Sequence, residues 1–163
     1  MEGKVRKNKG FSLIEVLVVL GIIGILSSFI TPRVMNYMAE AKDVKVKSTL
    51  EALRTASELY YLEEGKPFMD AAESIKNEDL EKLEEYLSNN LKGIFREGDD
   101  IGITMEVGGS RETKDGEALY GGSVTFTTAN PDTTGTSDRI KIWVKPTMNT
   151  KPYTLVGEKW IEL

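Results

Sequence analysis

The chain has 163 residues, 29% charged and 40% hydrophobic, which suits one folded domain plus a membrane segment and argues against general disorder. It holds no cysteine and no histidine, which excludes disulfides, thiolate chemistry, Cys/His zinc sites, a Ser-His-Asp triad and any imidazole base. Charge is uneven: Lys4, Arg6, Lys7 and Lys9 against Glu2 give the first ten residues +3, so a total of −5 leaves −8 from Phe11 onward.

That basic start runs straight into FSLIEVLVVLGIIGILSSFI, Phe11 to Ile30, twenty residues with one charge. A helix of that length covers about 30 Å, the thickness of a bilayer core. Positive charge before the run predicts an N-terminus on the cytoplasmic side and an acidic remainder outside. An acidic exported domain is a poor generic ligand for nucleic acid. No small-residue cleavage site follows the run, so a processing signal is better placed before it, at Gly10. Glu15, the fifth residue of the run, is costly in lipid unless it is partnered. It stands four residues after Phe11, on the same helical face and near the positive end of the helix. Gly21 and Gly24 each weaken the helix by about 1 kcal/mol relative to alanine. They read equally as positions of close helix packing and as points of loosening. Pro32 removes the hydrogen bond to the Ser28 carbonyl and reads as a kink or hinge.

Beyond Pro32 the helical pattern continues and turns amphipathic. Val34, Met38 and Ala41 form one stripe, and Val46, Leu50, Leu53, Ser57 and Tyr60 a second at steps of three and four. A helix from Phe11 to Leu62 would be about 78 Å long. Gly65, Lys66 and Pro67 end it. Lys42, Lys45 and Lys47 make a basic patch that suits a solvated face, with nucleic acid or lipid headgroups as the other readings.

The remaining residues, 65–163, read as a head. A short helix is expected near 78–91, with Asn77 as N-cap, Leu80, Leu83, Leu87 and Leu91 on one face, and Lys92-Gly93 as its stop. Period-two alternation then predicts strands at Ile101–Val107, Ser123–Thr128 and Ile140–Val144, with a fourth at Tyr153–Val156 and Trp160 sealing the sheet. Gly108-Gly109 through Gly116, Gly121-Gly122 and Asn130 to Asp138 read as loops. The expected fold is therefore α+β: a long N-terminal helix packed on an antiparallel sheet of about four strands. Asn130, Asp132 and Thr134 alternate before Gly135, with Asp138 downstream, as oxygen ligands alternate in a calcium loop. Threonine replaces an acid and no distal glutamate follows, so an ordinary loop is the favoured reading and no metal or other cofactor is assigned. The adjacent acids Glu63-Glu64 and Asp99-Asp100 diverge on either a helix or a strand and do not make a catalytic dyad.

Basic leader, Gly10, Phe11, Glu15 and run length together resemble the class III signal of type IV pilins and type II secretion pseudopilins. The likeness covers about the first forty residues. It implies that residues 1–10 are a leader removed by a prepilin peptidase and that Phe11 becomes the N-methylated first residue. It implies that residues 11–32 are the transmembrane and polymerisation helix, 33–64 its amphipathic continuation, and Glu15 the acid used in subunit assembly. Glycines and proline in such helices, here Gly21, Gly24 and Pro32, mark where the helix loosens in a fibre. The resemblance implies a non-enzymatic structural subunit that sits single-pass in the inner membrane and then joins an extracellular pilus. Its partners would be other copies, minor pilins and an inner-membrane assembly platform. A pseudopilin of a secretion or DNA-uptake system is the alternative. A signal-anchored exported binding module or enzyme is the alternative of another class.

Overall fold

The computed structural model describes residues 10–88, 91, 96–98, 102–131 and 137–163. The leader up to Lys9, Lys92-Gly93, Asp99-Asp100, Ile101 and Asp132 lie outside the described residues. The chain divides into two units, Met1–Tyr37 and Met38–Leu163.

The first unit, as described, is the start of helix α1, Leu13–Glu64. Ser12 and Glu15 define that start. The Ser12 amide donates to Glu15 Oε2 at 3.1 Å, one half of the reciprocal capping seen when Ser-x-x-Glu opens a helix. Every residue from Gly10 to Tyr37 is exposed, apolar ones included. Pro32 is accommodated inside the helix. The turn before it is rich in hydroxyls that bond back to the main chain. Ser28 Oγ donates to the Ile25 carbonyl at 2.7 Å and Thr31 Oγ1 to the Ser27 carbonyl at 2.8 Å.

In the second unit α1 turns one face to a sheet. Ala39, Asp43, Val46, Leu50, Leu53, Ala56 and Ser57 are buried at helical spacing, and Tyr60 is half-buried. The expected stripe of Val34, Met38 and Ala41 is exposed. Ala39 and Asp43 continue the buried face instead, because each falls three or four residues before the next buried position. Gly65, at φ 68°, closes the helix by donating its amide to the Tyr61 carbonyl.

The sheet has four antiparallel strands in the order β1-β2-β5-β6, with β1 Arg96–Gly98, β2 Gly102–Glu106, β5 Ser123–Thr127 and β6 Trp143–Pro146. A separate two-stranded hairpin, β3 Gly109–Arg111 and β4 Ala118–Tyr120, is inserted between β2 and β5. Ile103, Met105, Val124, Phe126 and Val144 from the sheet meet Val46, Leu50 and Leu53 from α1, with Phe68, Ile75, Leu83 and Trp160 closing the core. The fold is the expected α+β arrangement of a long helix and an antiparallel sheet.

Several boundaries differ from the sequence reading. The short helix α2 is Asn77–Lys82, followed by a 3-10 turn at Glu84–Tyr86. Lys76 takes the N-cap position, since Asp79 Oδ2 accepts its amide at 3.0 Å. The leucine face holds: Leu83 and Leu87 are buried, and Leu80 and Leu91 pack against them. Residues 140–142 are not strand. Asp138 Oδ1 accepts the amides of Ile140 and Lys141, while Ser57 Oγ and Arg54 Nε donate to the carbonyls of Ile140 and Ile142. Side chains have taken those backbone groups, and the ladder begins only at Trp143. Tyr153–Val156 is likewise not strand. Tyr153 bridges Arg111 and Lys159, and then the chain turns at Thr154–Gly157 with Gly157 at φ 83°.

Candidate assembly helix and the acids of the head

The first unit brings Gly10, Phe11 and Glu15 together at the start of an exposed apolar helix. Gly10 and Phe11 precede the first helical turn and are exposed. An 18-residue window of α1 has a mean hydropathy of 2.6, long and apolar enough to cross a membrane. Glu15 is the acid in the first turn, its carboxylate held against the Ser12 amide. That contact uses one carboxylate oxygen at the positive end of the helix. The capping role of Glu15 was missed in the sequence reading, although Ser12-x-x-Glu15 is the signal for it. Gly21 and Gly24 lie on open surface: beyond the chain neighbours and the helix's own adjacent backbone, nothing lies within 4 Å of where a Cβ would sit. In the monomer neither glycine is required by its surroundings.

The head offers acids but no comparable site. Asp43 is buried, and its Oδ1 accepts the Gly108 amide at 2.9 Å. Oδ2 has no hydrogen-bond partner among the described residues. Burial raises the pKa of Asp43, while the amides of Gly108, Leu155 and Gly109 and the charge of Lys47 act to lower it. Glu63 accepts from the Tyr86 hydroxyl at 2.6 Å, and that bond, with neighbouring acids, pushes the phenol up to about 12. Of the calcium candidates, Asn130 and Asp138 are described. The two amide bonds to Asp138 hold its carboxyl below the usual range, chiefly through Lys141, and commit one of its oxygens to its own loop. Among the described residues no three acidic side chains gather as metal ligands do. Two of the three patch lysines are paired, Lys42 with Glu106 at 3.6 Å and Lys47 with Glu158.

Comparison with known proteins agrees with this division. A family model for the prokaryotic N-terminal methylation motif matches residues 5–31. A fimbrial protein of Pseudomonas aeruginosa is 30% identical over 127 residues, 77% of this chain and 82% of that protein. The type IV major pilin protein PilA of Myxococcus xanthus is 36% identical over 69 residues, 42% of this chain and 31% of that protein. Type II secretion system core protein G of Vibrio cholerae is 40% identical over 60 residues, 37% of this chain and 41% of that protein. The chain thus spans less than half the length of the last two relatives. No solved structure matches it. The chain belongs to the type IV pilin and pseudopilin family.

Proposed function

We propose that the chain is a prepilin: a structural, non-catalytic subunit processed between Gly10 and Phe11, N-methylated at Phe11, and polymerised through residues 11–32 into a type IV pilus. The observation that carries this reading is an exposed membrane-length helix with one acid in its first turn, directly after the Gly10-Phe11 bond. Cleavage creates a cationic amine at Phe11, and in a bundle of parallel helices staggered by about one turn that amine meets Glu15 of a neighbour. The precursor waits in the inner membrane with its leader inside, and burial of its apolar run makes extraction depend on an energised assembly platform. Its partners are other copies, minor pilins and the prepilin peptidase. Pro32, in a turn whose hydroxyls bond back to the main chain, is where the helix loosens in the fibre, and Gly21 and Gly24 serve either loosening or close packing. The likeness to protein G supports a second reading, a pseudopilin of a secretion system. Intact-mass and N-terminal analysis of material sheared from cells tests the proposal. Long abundant filaments whose subunit begins at methylated Phe11 are expected. An unprocessed chain that stays in the membrane would contradict both readings and favour a signal-anchored module.

A further inference from the structure

One end of the second unit combines three joints of the sheet with the beginning of its helical segment. Pairing of Glu106 with Ser123 and of Val124 with Pro146 brings the end of β2, the start of β5 and the end of β6 to one side. Asp43 meets the Gly108 amide there. Gly108 lies so near α1 that a Cβ on it would fall 1.9 Å from the Ala39 carbonyl oxygen. The Gly121 amide donates to the Gly108 carbonyl at 2.8 Å, and Thr150 Oγ1 to the Ser123 carbonyl at 2.6 Å, so the joint at Gly121-Gly122 and the turn at Thr147–Thr150 share this rim. Tyr120 is exposed on it and Met148 wholly so, and Lys42, Val44 and Lys45 are exposed on the adjoining turn of α1.

The chain itself fixes how far this rim can stray from a bilayer. Arg33 is the first charged residue after Glu15, so the apolar span ends before it. Ala39 follows six residues later, about 9 Å away along a helix and about 20 Å away along an extended chain. The rim is therefore tethered near the headgroup layer whatever angle the two units adopt. An exposed tyrosine and methionine beside lysines suit that layer. The ring and thioether take the apolar depth, while the Lys45 amine faces headgroup oxygens.

We propose that in the membrane-resident precursor this rim lies on the lipid surface, with Tyr120 and Met148 inserted at the interface; the inference rests on the membrane-resident reading above. The head would then be oriented before assembly, and extraction would peel the rim from the bilayer as well as withdraw the helix.

The absence of cysteine makes the test direct, because a single introduced thiol carries the only label. Full-length Met148→Cys and Asp70→Cys variants each receive one environment-sensitive fluorophore. Asp70 is exposed in the segment that reaches the other ends of β2 and β5, through Ser74 against Gly102 and Thr127. In phosphatidylcholine vesicles the probe at 148 is expected to emit to the blue and to lose most of its intensity when the acyl chains are brominated. The probe at 70 is expected to stay water-like and unquenched. Water-like emission at 148 in a chain that floats with the vesicles overturns the proposal and leaves the membrane reading standing. Failure to float overturns both. A blue shift that grows with protein-to-lipid ratio and resists brominated lipid assigns the rim to contact between copies, and also overturns it.

Discussion

The two units of this chain use apolar residues in opposite ways. From Gly10 to Tyr37 nothing is buried, although the segment is the most hydrophobic in the protein. From Met38 onward many of the same residue types are shut into one core, with Val46, Leu53, Phe126, Ile142 and Trp160 fully enclosed. The head builds a core within one chain; the segment ahead of it buries none of its apolar surface. Substitutions should therefore be read in different measurements. Those in the head move unfolding of the monomer, and those in the first unit move insertion and assembly.

The largest expected effect on unfolding comes from Trp160. Trp160→Ala should remove about 3–5 kcal/mol from the head in denaturant melts of the full chain in detergent, since a large ring leaves a closed core. Leu20→Ala in the same assay should leave the head transition where it was, because Leu20 is exposed and is not one of the core residues. An equal loss from both would break the comparison. Gly108→Ala ranks next. Its new methyl would overlap the Ala39 backbone, so a loss of about 1–3 kcal/mol or more is expected, read as a lowered denaturation midpoint.

The third effect is smaller and depends on pH. Asp43 has its folded pKa raised by burial, so its contribution to stability is full below the unfolded value and fades as pH rises through the folded one. Asp43→Asn keeps an oxygen for the Gly108 amide and cannot ionise. Relative to the parent, that variant should gain stability as pH rises from about 4. Parallel stability-versus-pH curves for the two would contradict this account, and diverging ones would isolate what the buried Asp43 carboxyl costs the head.

Much of this division was legible in the sequence, and the reasons are local. Period and composition marked α1, the leucine face at Leu80, Leu83 and Leu87, and the strands around Ile103 and Phe126. The hairpin Gly109–Arg111 with Ala118–Tyr120 escaped because its strands, Gly-Ser-Arg and Ala-Leu-Tyr, are too short to show an alternation. The strand expected from Ile140 began late because Arg54 and Ser57, more than eighty residues earlier, claim its carbonyls. No local pattern carries that information. The residues proposed for assembly come from the sequence alone, and the capping bond between Ser12 and Glu15 was overlooked despite its local signal. That bond matters, since it gives Glu15 a task within its own helix.

It also decides how the central claim is best tested. Glu15→Ala removes both the charge and the cap, whereas Glu15→Gln keeps an oxygen for the Ser12 amide and removes only the charge. The direct measurement is filament yield from cells that express Glu15→Gln as the sole subunit, with membrane insertion and processing at Gly10 monitored in parallel. The account predicts normal insertion with filaments reduced as severely as in Glu15→Ala. Filaments at parental abundance from Glu15→Gln would contradict it, leaving Glu15 as a helix cap and nothing more.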